Sequence, residues 1–185
     1  MPGQKPELAI ALLRGINVGG RSIVPMRELV AALESLGCER VRTYIQSGNA
    51  VFQFPGSLTS RSVAAIAKAI SRTCGVEPGV QLFKRSEFRS IVEANPFPEA
   101  EDDPSRLHVF FLAAKPTAPK LDALEKLKAS SERFQLTSRA FYLHAPDGIG
   151  RSKLAAAVER LLGVAVTARN WRTVQQLCRM ADESP

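Results

Sequence analysis

The sequence predicts an α+β protein built as an internal duplication of two βαββαβ halves, each followed by an extra helix. Three observations carry that expectation. Apolar segments of strand length alternate with segments of helical period, and the same order occurs twice. A Pro- and acid-rich stretch separates the two runs. The composition, 45% hydrophobic and 23% charged over 185 residues, is that of a globular chain long enough for one domain or two small ones.

In the first half, no polar alternation interrupts Leu8 to Leu13, which marks a buried strand. Gly15, Gly19 and Gly20 break it. Pro25 suits a first helical turn, and Met26, Leu29, Val30, Leu33 and Leu36 recur at helical spacing up to Gly37. Val41 to Ile45 and Ala50 to Phe54 read as strands joined by a turn at Ser47-Gly48-Asn49. Val63, Ile66, Ala67 and Ile70 mark a second helix that ends near Gly75, and Val80 to Phe83 a fourth strand. This order is the split βαβ, or ferredoxin-like plait. A further helix over about 86–94 stops before Pro96.

Asn95 to Pro104 holds Pro96, Pro98, Pro104 and four acids, so it reads as a linker. The order then restarts. Leu107 to Ala113 is a strand, Leu121, Leu124 and Leu127 lie on a helix, and Arg133–Leu136 with Ala140–His144 form a hairpin. Leu154, Val158, Leu161 and Leu162 mark a helix ended by Gly163. Val164 to Thr167 reads as a strand and Trp171 to Met180 as a closing helix. The expected division is a first half over 1–95, a linker over 96–106 and a second half with its C-terminal helix over 107–185.

Lys plus Arg exceed Asp plus Glu by 7, which favours anionic partners at long range. The excess is spread, with no basic tail and no run of five like charges. Cys38, Cys74 and Cys178 show neither C-x-x-C nor metal-ligand spacing and read as reduced thiols. His108 and His144 fall in strand-like runs with no nucleophile signature beside them. No segment has signal-peptide or membrane-spanning character, so the expectation is a cytoplasmic protein without metal, cofactor or membrane partner.

Two stretches resemble a known family. Leu12-Leu13-Arg14-Gly15-Ile16-Asn17-Val18-Gly19-Gly20 and Arg42-Thr43-Tyr44-Ile45-Gln46-Ser47-Gly48-Asn49 are similar to the signature of a bacterial family called domain of unknown function 1697. Tyr142-Leu143-His144, Gly150-Arg151-Ser152-Lys153-Leu154 and Thr167-Ala168-Arg169-Asn170-Trp171 resemble its C-terminal half. The resemblance implies two linked ferredoxin-like halves and implies no activity. It departs from the family pattern at Arg172, where such proteins usually carry Asn.

Plait topology locates the candidate sites. In the first half, the loop after strand 1 and the turn after strand 2 share one end of the sheet. They bring Arg14, Asn17, Gly19, Gly20, Gln46, Ser47 and Asn49 together, with a helix N-terminus just downstream. That set suits an anion or polar ligand. It also suits turn closure, because Asn and Ser spend their hydrogen bonds locally in tight loops. In the second half, Gly148, Gly150, Arg151, Ser152 and Lys153 open a helix. Arg169, Asn170 and Trp171 follow the last strand. These form a second anion-site candidate, in which Ser152 could instead cap the helix and the Trp171 indole could reach a carbonyl. Neither loop matches G-x-G-x-x-G or the Walker A pattern.

The third strand, Gly48 to Phe54, partly matches the pattern by which RNA-recognition plaits stack bases. Period-2 alternation places Phe52 and Phe54 on one face, expected to be helix-covered, so RNA stacking is disfavoured. No paired carboxylates and no serine with an evident base stand out. The expected function is binding of an anionic or phosphate-bearing ligand at Gly-rich loops. A small-molecule enzyme using the same loops and a protein–protein module are the competing classes.

Overall fold

The computed structural model describes residues 6–184. The strands are β1 (Glu7–Arg14), β2 (Glu39–Tyr44), β3 (Asn49–Phe54), β4 (Gly79–Lys84), β5 (Leu107–Leu112), β6 (Arg133–Leu136), β7 (Ala140–His144) and β8 (Val166–Asn170). The helices are α1 (Met26–Glu34), α2 (Ser60–Cys74), α3 (Arg85–Glu93), α4 (Leu121–Leu127), α5 (Lys153–Leu162) and α6 (Trp171–Asp182). Two four-stranded antiparallel sheets result, ordered β2-β3-β1-β4 and β6-β7-β5-β8. The fold is therefore α+β, a duplicated ferredoxin-like plait.

Local chemistry explains the element ends. Thr59 and Ser62 form a reciprocal capping box, with Ser62 N–H donating to Thr59 Oγ1 and Thr59 N–H to Ser62 Oγ. That cap starts α2 at Ser60, ahead of its first apolar residue, Val63. Ser152 caps α5 by accepting the Ala155 N–H at 2.9 Å. The last strand lies further along the chain than its apolar residues suggest. β8 runs Val166–Asn170 because its pairing to β5, from Leu112↔Val166 to His108↔Asn170, draws Arg169 and Asn170 into the ladder. Tertiary pairing overrides the weak strand character of those two residues.

The chain forms two compact units, one running to Ser90 and resuming from Gln176, the other spanning Ile91–Gln175. Helices α3 and α6 thus each carry the chain from one unit to the other. This division cuts the closing helix, which the sequence assigns wholly to the second half. The stretch expected to be a linker is also structured. Pro98–Asp102 is a short 3-10 helix, Phe97 and Ala100 are buried, and Asn95 donates to Glu101 Oε1 at 2.7 Å.

In the first unit, Ala9, Ala11 and Leu13 of β1 and Ala50 and Phe52 of β3 pack beneath α1 and α2, with Leu29, Leu33, Ile66 and Ile70. Phe52 is fully buried as expected, whereas Phe54 at the strand end is only half-buried. The opposite face carries Ile10, Leu12, Asn49 and Val51, all with 0% exposure. The last turns of α6 and the start of α3 lie over it. Arg42 on this face donates to Met180 O and Ser184 Oγ and pairs with Glu183. Phe88 meets Phe83 edge-on with ring centroids 6.0 Å apart.

The second unit repeats the plan. Phe110, Leu112, Phe141 and Leu143 pack against Leu124, Leu154, Val158 and Leu161 of α4 and α5. On the other face the buried Tyr142 hydroxyl donates to Ile91 O at 2.6 Å, and Arg133 sits 4.9 Å above the Phe97 ring while pairing with Glu99.

One glycine holds the first unit's loop end closed. Gly48 sits at φ 71°, its carbonyl accepts the Leu13 N–H at 2.8 Å, and an added Cβ would fall 2.5 Å from Leu13 Cβ. Gly48→Ala should cost about 2–4 kcal/mol, the sum of left-handed strain and forced repacking. Urea unfolding of wild type and variant measures it.

Candidate functional site

The β1–α1 loop folds into a small finger. Asn17 N–H donates to Ser22 O at 3.0 Å, Arg21 N–H to Val18 O at 3.1 Å, and Val18 and Arg21 form an isolated bridge. Gly19 at φ 58° and Gly20 at φ 73° occupy the two central positions, the geometry of a type I′ hairpin turn. The loop and the β2–β3 turn meet at one end of the sheet, as the topology requires.

The chemistry of that meeting is internal. Asn17 Oδ1 accepts the Val24 N–H at 2.9 Å, and Asn17 Nδ2 donates to Val24 O at 3.0 Å and Gln46 O at 2.6 Å. Asn49, fully buried, donates to Tyr44 O at 3.1 Å and Ser47 Oγ at 2.8 Å. The Asn17 carboxamide ties the two loops together, and that of Asn49 closes the β2–β3 turn. Arg14 and Gln46 lie at the surface around them.

The second cluster opens into a cleft. After β7, Ala145 N–H donates to Arg106 O at 2.8 Å and Gly148 N–H to Ala145 O at 2.9 Å. The chain then makes the 3-10 turn Ile149–Arg151 and enters α5. α4 packs against α5, and between the end of α4 and the start of α5 lies a cavity of about 440 Å³. Gly148, Arg151, Ser152 and Lys153 line it together with Lys126 and the apolar Leu127, Ala129 and Ala145. Gly148 has little freedom to change, since its φ of 92° is a conformation that side-chain-bearing residues rarely adopt.

Two acids share this cleft, and both have a hydrogen-bond partner. Asp147 Oδ2 accepts the Ser131 hydroxyl proton at 2.6 Å. Glu132, only 5% exposed, accepts the Ala129 N–H at 2.9 Å. Lys126, Ser131 and Glu132 also line this cavity, and the sequence pattern does not single them out. The signal for them was topological, because the α4 end and the α5 start share one end of a plait.

The remaining members of the second cluster lie elsewhere. Arg169 pairs with Val109, so it points to the sheet face opposite α4 and α5. Burial there pulls its guanidinium down to about 10. Asn170 Oδ1 accepts the Thr173 N–H at 2.9 Å and so caps the start of α6. Trp171 is buried, and its indole N–H does not make the bond to a carbonyl that the alternative to ligand binding would give it. Gly150 lies in the short turn before α5.

Other reactive groups are quiet. Burial pushes the Cys38 thiol up to about 11, and burial with Glu28 nearby raises Cys74. Among the described residues no group of His, Cys, Asp and Glu is arranged to hold a metal ion, and no helix is long and apolar enough to cross a membrane.

The model of a family described as "Protein of unknown function (DUF1697)" matches residues 7–142. The chain belongs to the DUF1697 family. Among solved structures, a conserved bacterial protein, SP0830 from Streptococcus pneumoniae, superposes with a TM-score of 0.65 at 22% identity, over 95% of this chain and 99% of that one. At that identity the likeness establishes the fold alone. A proposed glycine cleavage system transcriptional repressor aligns at a TM-score of 0.26 and 12% identity, over 89% of this chain and 96% of the other, which carries no argument. Among curated proteins none matches this DUF1697 chain.

Two measurements test the local roles. Asn17→Ala removes three hydrogen bonds and strands the buried Val24 N–H, so stability should drop by about 2–3 kcal/mol in chemical denaturation. Separately, burial lowers both histidines, and Arg133 beside His144 adds to its shift. The unfolded chain takes up these protons near the ordinary value of 6.5, the folded chain only at lower pH. Stability is therefore full above that value and decreases as pH falls through it. His108→Gln should flatten the acid-side decrease in a pH series of urea titrations.

Proposed function

We propose that the cleft between α4 and α5 binds a small anion, a phosphate- or carboxylate-bearing molecule with an apolar body. The observation that carries this reading is the imbalance of available charge in the cleft. Lys126, Arg151 and Lys153 line it alongside the N-terminus of α5, while Asp147 and Glu132 accept hydrogen bonds from a hydroxyl and a backbone amide. Leu127, Ala129 and Ala145 supply the apolar wall. A volume of about 440 Å³ is in the usual range for small-molecule sites. Arg151 provides a planar fork for an oxyanion, Lys153 a point charge, and the first turn of α5 backbone dipoles.

The cleft reads as a binding site more readily than a catalytic one. The Ser152 hydroxyl is occupied as a helix cap and the Ser131 hydroxyl donates to Asp147, so each already has a structural role.

A thermal-shift series with inorganic phosphate, phosphate monoesters and small carboxylates tests the proposal. A ligand at a hundred times its Kd should raise stability by about 2.7 kcal/mol. Arg151→Ala and Lys153→Ala should each weaken binding by about 1.5–3 kcal/mol, and Arg14→Ala should leave it unchanged. If no probe raises the melting temperature, or if the shift survives in the Arg151→Ala/Lys153→Ala double variant, the proposal is wrong.

A further inference from the structure

Four large apolar side chains are strongly exposed among the described residues, and three of them stand at one end of the first unit's sheet. Val18 is 70% exposed, Ile23 60% and Ile45 52%. The Asn17 carboxamide holds them together, since its bonds to Val24 and Gln46 place Ile23 and Ile45 on either side of one clamp. Nothing lies within 4 Å of the Cβ positions of Gly19 and Gly20, so the hairpin tip projects into open space. Ile45 is β-branched and held at φ 48°, a conformation such residues rarely take.

The charge of the finger itself is one-sided. Arg14 and Arg21 are exposed, and neither Arg14 to Arg27 nor Ile45 to Asn49 contains Asp or Glu; the acids of this end of the sheet, Glu28 and Glu77, lie in the first turn of α1 and just before β4. An apolar centre with a charged margin is the anatomy of a protein–protein contact. Three exposed apolar side chains on loops held by one clamp fit such a contact.

We propose that this finger is a docking surface for a partner protein segment that presents an apolar side chain flanked by Asp or Glu. The patch disfavours the other occupants. Arg14 to Ile23 contains no aromatic ring and no lysine to anchor at a lipid headgroup layer. Two guanidiniums neutralise few phosphates of a nucleic acid. A second copy of this chain would bring the Arg14 and Arg21 charges of both copies into one interface. The hairpin turn and the Asn17 clamp fix the finger before binding, which lowers the entropic cost of docking.

Short random peptides displayed on phage and selected on the full chain provide the test. The enriched sequences should combine Asp or Glu with Leu, Ile or Phe, and a synthetic consensus peptide should bind in a fluorescence anisotropy titration. Arg21→Glu should weaken that binding roughly tenfold or more, and a peptide with Lys replacing the acids should restore it on the variant. Val18→Ser should weaken binding while melting like wild type, because its side chain is exposed. Ile45→Asn, a residue at ease in the left-handed region, should weaken binding while holding or raising the melting temperature. The proposal is overturned if no consensus emerges, if the consensus is neutral or basic, or if Arg21→Glu binds equally well. Val18-dependent self-association in sedimentation overturns it too, as does Val18-dependent binding to phosphatidylglycerol vesicles or duplex DNA.

Discussion

The central strands are apolar on both faces, and a βαββαβ unit carries helices for only one. In β1, Ala9, Ala11 and Leu13 alternate with Ile10 and Leu12, and none is more than 1% exposed. In β5, Val109 and Phe111 alternate with Phe110 and Leu112, again all buried. Leaving one such face in water would forgo roughly 25 cal/mol for every Å² of apolar surface. A second cover is therefore obligatory for each sheet, and the helices outside the plait order supply it. In the first unit the last turns of α6 close over Ile10, Leu12 and Val51, with Arg42 fastened to the Met180 carbonyl and the Ser184 hydroxyl. In the second, the segment through Ile91 and Phe97 takes that place, with the Tyr142 hydroxyl bonded to the Ile91 carbonyl.

Covering both faces decides where function can be. RNA-recognition plaits use an open sheet face with displayed rings, and here that face is occupied by helices. What remains available is the loop ends, where the backbone leaves the sheet and polar side chains collect. Within those ends, hydrogen-bond accounting separates clamps from candidates. Asn17 spends both ends of its amide on backbone groups, so it sets loop geometry. Arg151 and Lys153 line a cavity instead, at the mouth of a helix whose cap is already supplied by Ser152.

The element order and most boundaries were legible in the sequence because they rest on short-range signals: apolar period, turn residues and helix-ending glycines. β6 and β7 lie where their hairpin pattern places them, and Gly163 ends α5 in the left-handed conformation. The reading was incomplete where long-range packing decides. β8 slides toward Asn170 because β5 offers it partners there, which draws Arg169 out of the expected loop after the strand and into the ladder, on the face opposite α5. The Pro-rich stretch folds because Phe97 and Ala100 have somewhere to be buried, and its composition alone does not reveal that. The cleft was half visible: Gly148 to Lys153 are contiguous in sequence, whereas Lys126, Ser131 and Glu132 join them only through α4 packing on α5.

The electrostatics of the cleft show why a formal count of charges is a poor guide to a ligand. Three basic and two acidic side chains line it, which looks close to balanced. Position and partnering change that picture. Glu132 is almost wholly buried and directs a carboxylate oxygen to the Ala129 amide, and Asp147 holds the Ser131 hydroxyl. A carboxylate that accepts hydrogen bonds from fixed donors has part of its field cancelled by those dipoles and presents less of it to an incoming ion. The α5 N-terminus adds positive potential that no count of side chains includes. The same acids also hold the loops that shape the cleft, Ala129 to Glu132 on one side and Ser131 to Asp147 across it. Negative charge in this cleft thus serves to position the walls, and the proposed anion site rests on the basic side chains and the α5 N-terminus beside them.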